Sequence, residues 1–377
     1  MKTGLSPKYI HNINETIVMW FQSSNKYIVV SANVYTLVLL FLNVKGKAEF
    51  IDTLYETLQI ENEKCKEIFS EISNFLEDAN TLAIVDITLN DKLEIPKTNI
   101  ERSYDFDGKI IRINFETALI ESLIHPQIEH HTVDKISDAI AEFDIFKTSD
   151  SLHLFKNKSH IGSYNTKSFH FLQGKFALEL TNSIHNTHID NWVATFHAST
   201  VSHNSESIMI IGDSGNGKST LSALLMSNGL DVLADDFSPL YADMHIYRYP
   251  AAISIKKGAF GILEASMENF ETLKIHKNGP KKVNLKYLPP STKFSTSASN
   301  FPCHKIVIVN FDSSKPSQLK QIPVENILET LIPESWISPN ETHSLKFLNW
   351  LEHLQCYELC YSDNDFAISK FKALFEV

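Results

Sequence analysis

The sequence predicts an α/β protein with a small α+β module ahead of its main core, on three observations. At 377 residues the chain exceeds one ordinary compact domain, so two or three cores are expected. The apolar run Ile208-Met209-Ile210-Ile211 passes through a glycine-rich turn into the helix-forming stretch Thr220 to Met226, the alternation of a sheet whose strands are buried on both faces. Near the start, two β-rich runs around Ser23-Ser24-Asn25 lead into three helical stretches.

Composition narrows the classes further. Hydrophobic residues make up 43%, with 24 Phe and 12 Tyr, which is ample material for packed cores and excludes wholesale disorder. A formal charge of −11 disfavours nucleic acid as a partner of the whole surface. Cys65, Cys303, Cys356 and Cys360 are too scattered for a disulfide framework or a metal knuckle, and a reducing cytoplasm fits them. The longest apolar stretch, Val34 to Leu42, is half the length that spans a bilayer and reads as a buried helix. No apolar segment follows Lys2, so export is not expected, and no membrane partner either.

Along the chain, residues 16–30 read as a hairpin. The first helix starts at Ser31-Ala32-Asn33 and runs to Leu42, before Gly46; the second covers Phe50 to Leu58. The third runs from Glu63 to Leu76, with Ile68, Phe69, Ile72, Phe75 and Leu76 forming one apolar stripe. Leu82 to Ile87 is a candidate closing strand. This order, over residues 14–88, resembles the winged-helix domain of PqqD-like peptide-recognition modules. The resemblance implies that a peptide adds a strand to the edge of the hairpin sheet. The third helix carries Glu61, Glu63, Glu67, Glu71 and Glu77 around Lys64 and Lys66, which would repel a phosphate backbone. From Lys92 to Lys97 the pattern loosens into a linker. Residues 103–195 alternate β-like runs, such as Lys109 to Ile113 and Leu152 to Phe155, with a helix near Phe171 to Ser183. Ser291 to Asn300 reads as a loop.

The chemistry is concentrated after Ser207. Gly212-Asp213-Ser214-Gly215-Asn216-Gly217-Lys218-Ser219 satisfies G-x-x-x-x-G-K-[ST] between an apolar strand and a helix, the context that this motif requires. Backbone N–H groups in such a loop curl around an anion, and the helix N-terminus adds partial positive charge. Lys218 is placed to hold β- and γ-phosphates, Ser219 to offer its hydroxyl to Mg²⁺, and Thr220 to complete the binding loop. A second short strand, Leu230 to Ala234, ends in Asp235-Asp236. One carboxylate there can hold Mg²⁺ while the other accepts a proton, or the pair simply caps the turn at Phe237-Ser238-Pro239.

The set Phe196-His197-Ala198, the glycine loop and Gly229 to Asp236, taken in that order, resembles the catalytic domain of HPr kinase/phosphorylase and its kinase-like relatives. Pro250-Ala251-Ala252-Ile253-Ser254-Ile255-Lys256 resembles a run common in those relatives. The resemblance covers residues 190–375. It implies a P-loop kinase core related to phosphoenolpyruvate carboxykinase, with ATP (or GTP) and Mg²⁺ as cofactors and serine phosphorylation as the activity. It also implies Asp236 as general base, Asp235 as Mg²⁺ partner and His197 as the residue that orients the acid pair. Two departures stand out: Thr220 occupies a position where HPr kinase/phosphorylases carry Glu, and no copy of the later glycine-rich phosphorylase signature is found. The kinase-like relatives of peptide-modifying pathways therefore fit better than HPr itself as a guide.

The resulting expectation has three segments: a PqqD-like domain over 1–90, a bridging α/β segment over 91–190 and a P-loop kinase domain over 191–377. The leading function is ATP-dependent phosphorylation of a peptide or protein hydroxyl, the substrate held by the N-terminal domain. A small-molecule kinase, for example of free serine, and a nucleotide-binding regulator without turnover are the alternatives. Arg248, Lys281, Lys282 and Lys286 are candidates for clamping phosphate from outside the loop. His130, His131, His185 and His188 form no metal-like set and are expected at the surface. The acceptor and the oligomeric state, a homo-oligomer included, are left open.

Overall fold

The computed structural model describes residues 4–82, 93–134, 138–278, 283–292, 294 and 298–376. It is a mixed α/β protein with several sheets, and its contacts divide it into two units. One comprises Met1–Ile84 with Pro323–Leu354, the other Val85–Ile322 with Gln355–Val377. This division differs from the three consecutive segments read from the sequence, because residues 323–354 pack with the N-terminal elements. Such a return is set by tertiary contacts, and nothing local in the sequence marks it.

The first unit contains an antiparallel meander of Tyr9–Ile13, Thr16–Phe21 and Lys26–Ser31. The last two are the hairpin expected around Ser23 to Asn25. The first strand was not legible, since its polar residues His11 and Asn12 leave it half-exposed. Val18, Met19, Trp20 and Phe21 on the central strand are all fully buried. Met19 and Phe21 pack under the helices Ala32–Asn43, Lys47–Leu58 and Asn62–Asn80, together with Phe41, Phe50 and Leu76. Trp20 is flanked by the rings of Tyr9 and Tyr27. The returning helix Glu341–Glu352 closes against them, with Phe347 edge-on to Tyr27 at 5.3 Å and Glu341 accepting from the Tyr9 hydroxyl at 2.8 Å. The helix Ala32–Asn43, expected to be buried, is amphipathic: Val38 and Phe41 are buried while Leu39 is 37% exposed. The closing strand expected at Leu82 to Ile87 lies outside the described residues except for Leu82.

In the second unit, a six-stranded sheet runs in the order Thr132–Val133, Ile100–Phe106, Lys109–Phe115, Ala141–Thr148, Ser151–Lys156 and Ser159–Asn165. The helices Ala118–Ile128 and Phe169–His185 bury Ile120, Ile124, Leu172, Phe176 and Leu180 against it. A larger sheet of the same unit carries Asp231–Ala234, Ser199–His203, Glu206–Ile211 and Asn300–Phe311 side by side in that order, and Gln355–Tyr361 also pairs with Asn300–Phe311.

Direction within this larger sheet positions the site. Ser199–His203 is antiparallel to both of its neighbours, so Glu206–Ile211 and Asp231–Ala234 point the same way. Asn300–Phe311 is parallel to Glu206–Ile211, and Gln355–Tyr361 is parallel to Asn300–Phe311. Four carboxyl ends and the amino end of Ser199–His203 therefore meet along one edge, where sheets of this kind present ligand-binding groups. Beneath that edge, the helix Lys218–Ser227 buries Leu221, Leu224 and Leu225 on the sheet. A small third sheet of Ile253–Lys256, Val283–Leu288 and Ile275–Asn278 adds Ile253 and Ile255 to the same core.

Candidate functional site: a glycine loop and a buried acid

The glycine loop leaves the strand Glu206–Ile211 and enters the helix at Lys218. Gly212, Gly215 and Gly217 all have positive φ, at 145°, 103° and 94°. At two of these positions glycine is also required by space. A Cβ on Gly212 would lie 2.7 Å from the Val309 carbonyl oxygen, and one on Gly217 would lie 2.9 Å from the Tyr361 hydroxyl. The neighbouring strands thus press on the base of the loop, and the Phe311 N–H donates to the Asn216 carbonyl at 3.3 Å. Its tip is open: Asp213, Ser214 and Gly215 are exposed.

Lys218 is buried, and its Nζ donates to the carbonyl oxygens of Gly212, at 2.6 Å, and Asp213, at 3.4 Å. Its charge is held inside the curl of the loop by backbone dipoles. Ser219, in the first helical turn, donates through Oγ to Asp235 Oδ2 at 3.1 Å. That contact joins the loop to the acid pair at the end of the strand Asp231–Ala234.

Asp235 is 3% exposed and is held by three groups. Ser199 Oγ donates to its Oδ1 at 2.5 Å, while Ser219 Oγ and the Ser254 N–H converge on Oδ2, each at 3.1 Å. All three are neutral. Burial, followed by the charge of Asp236, pushes the Asp235 carboxyl up to about 7, against the lowering effect of these hydrogen bonds. Asp236 is exposed and sits in the left-handed region with φ 59°, so its side chain is turned out where its neighbour is turned in. His197 is exposed as well, two residues before Ser199. The groups that orient Asp235 are Ser199, Ser219 and the Ser254 amide, rather than His197, to which the family resemblance assigns that work.

No protein-family model matches the chain, and no curated protein matches it. Among solved structures, it is similar to the HPr(Ser) kinase/phosphatase from Coxiella burnetii, with a TM-score of 0.21 and 11% identity over 48% of this chain and 99% of that one.

The basic residues separate into two kinds. Arg248 and Lys286, two of the candidates for clamping phosphate, are internal. Arg248 is 3% exposed and forms an ion pair with Asp231, with a further hydrogen bond to the Val232 carbonyl at 3.1 Å. Lys286 donates to the carbonyls of Phe270, at 3.0 Å, and Glu271, at 3.1 Å, with its ammonium over the Phe260 and Phe270 rings. Lys281 and Lys282 lie outside the described residues. Among the described residues, Lys256 reaches the loop from outside it, and its Nζ donates to Ser214 Oγ at 3.1 Å. Lys256 ends the quoted Pro250 to Lys256 run, and its alternation with buried Ile253 and Ile255 was the available signal.

Among the histidines, His185 is tied into the fold rather than free at the surface. Its Nε2 bonds the Arg248 carbonyl at 2.7 Å, and burial lowers its pKa to about 4. His131 likewise bonds the Pro250 carbonyl at 3.0 Å. Among the described residues, no cluster of three or more His, Cys, Asp or Glu could hold a metal, and no helix is long and apolar enough to cross a membrane.

The site fits a nucleotide phosphate with a divalent ion in its donor chemistry. The loop offers backbone N–H groups at a helix N-terminus around a buried ammonium. Beside it, a hydroxyl and a carboxylate already share one hydrogen bond, the oxygen donors that a hard cation takes.

Proposed function

We propose that the chain is an ATP-dependent kinase that transfers a phosphoryl group to a hydroxyl of a peptide or protein, with Mg²⁺ required. The observation that carries this reading is the Ser219–Asp235 contact, which ties the loop to the only buried acid at that edge among the described residues. The bound nucleotide and its ion would supply the electrophilic phosphorus and part of the charge that stabilises transfer.

The protein's own groups have separable tasks. Lys218 and the loop amides hold phosphate oxygens, and the rigid base of the loop fixes their direction. Ser219 and Asp235 would hold the ion, and Asp235 beside it would keep its ionised form in spite of its burial. Asp236, exposed at the same edge, accepts the proton of the acceptor hydroxyl. A peptide acceptor is supported by the first unit, whose strand Lys26–Ser31 is, among the described residues, an edge of its three-stranded sheet, since an extended segment can add to such an edge.

Labelled ATP, incubated with the purified chain and with separate pools of peptides and metabolites, tests the proposal. Label in the peptide pool, lost in Lys218→Ala, is expected. Label in the metabolite pool alone would make the chain a small-molecule kinase, and tight nucleotide binding with no transfer would make it a regulator.

A further inference from the structure

The strand Ile253–Lys256 runs beside both halves of the site. Ile253 and Ile255 are fully buried in the core under the glycine loop's helix, so the strand is anchored by alternate residues. Between and after them, the Ser254 N–H holds Asp235 at 3.1 Å and Lys256 Nζ holds Ser214 Oγ at 3.1 Å. One short strand therefore fixes the buried acid and places an exposed ammonium on the open tip of the loop. The partner of that ammonium is a neutral hydroxyl, and among the described residues no carboxylate forms an ion pair with it, unlike Lys286 on the adjacent strand, whose Nζ lies 3.4 Å from Glu264.

We propose that Lys256 is a second phosphate-binding cation, which leaves Ser214 to hold the terminal phosphate of the nucleotide. This rests on the kinase reading above and assigns a role that the glycine-loop motif does not contain. Lys218 approaches from inside the curl and Lys256 from the strand side. Lys218 spans the β- and γ-phosphates, whereas Lys256 at the open tip meets the γ-phosphate alone, so Lys256 adds to the preference for a triphosphate over a diphosphate. A lysine suits this task because its ammonium is a compact charge on a flexible stem that can swing from Ser214 to a phosphate oxygen.

The test compares binding of MgATP and MgADP by calorimetry to the full chain, to Lys256→Ala and to Lys256→Met, which keeps an unbranched apolar side chain. Removing one charge-assisted hydrogen bond is expected to weaken MgATP by about tenfold or more, with MgADP unchanged within about twofold. Lys256→Arg should keep most of the preference for ATP. All three variants should melt like the parent, since the Lys256 side chain is exposed and the Ser254 amide is untouched. Equal weakening of ATP and ADP, or no weakening of either, would overturn the role. Failure of the unmodified chain to bind either nucleotide would instead bring down the kinase reading, and this inference with it.

Discussion

The strand Asp231–Ala234 has an acid at its start and another just past its end, and the two are treated in opposite ways. Asp231 meets the Arg248 guanidinium in a charge-compensated pair. Asp235 is more deeply buried, yet among the described residues its partners are two hydroxyls and an amide, and its pKa is pushed up to about 7. A pair such as the first holds strands together. A buried carboxylate without a cation is costly in an apoprotein, and the cost has a rationale where a cation is to be bound. The same contrast separates the lysines: Lys286 is spent on carbonyls within its unit, while Lys256 stands at the open loop.

The largest stability effect is expected on the structural side of this comparison. Arg248→Ala leaves Asp231 without its partner and should cost about 3 kcal/mol or more in chemical denaturation. A loss under about 1 kcal/mol would show that the pair is not structural. Lys218→Ala should do the reverse, abolishing phosphoryl transfer and weakening nucleotide binding in calorimetry. Asp236→Asn should keep nucleotide binding while transfer falls roughly 10²–10⁴-fold, the usual worth of a general base. Normal turnover in that variant, with transfer lost in Asp235→Asn, would reverse the roles of the two acids.

The smallest effect, and the sharpest, is in pH dependence. The folded pKa of Asp235, about 7, lies above the ordinary carboxylate value near 4. Its contribution to stability is therefore fully present below about pH 4 and is lost as pH rises through about 7. Asp235→Asn lacks this slope. In metal-free buffer the melting temperature of the variant should gain on the parent between about pH 4 and 7, and the gap should stay level above that range. A constant gap from pH 4 to 8 would mean that Asp235 is not held protonated by its site.

The glycine loop was legible in the sequence because its signature is local: three glycines, a lysine and a hydroxyl at fixed spacing between an apolar run and a helix. The acid pair was legible for the same reason. What joins them was not. Ser199 reaches Asp235 because Thr200 pairs with Ala234 across two antiparallel strands, and Ser254 arrives from a different sheet. Those are pairings between strands and between sheets, which no local pattern marks. Arg248 and Lys286 were misread because a cation's type and position in the chain do not disclose whether its charge ends in a core. The association of residues 323–354 with the N-terminal meander was hidden likewise, since Tyr9–Glu341 and Tyr27–Phe347 are contacts across more than three hundred positions.

The central claim is that this edge binds a nucleotide through the glycine loop and a divalent ion through Ser219 and Asp235. The direct measurement is ATP affinity with and without Mg²⁺, by calorimetry at pH 7.5, for the full chain and for Asp235→Asn. The account predicts that Mg²⁺ tightens ATP binding to the parent, and that the variant keeps its metal-free affinity but loses the Mg²⁺ enhancement. The same Mg²⁺ enhancement in both proteins, or no ATP binding by the parent at all, would contradict it.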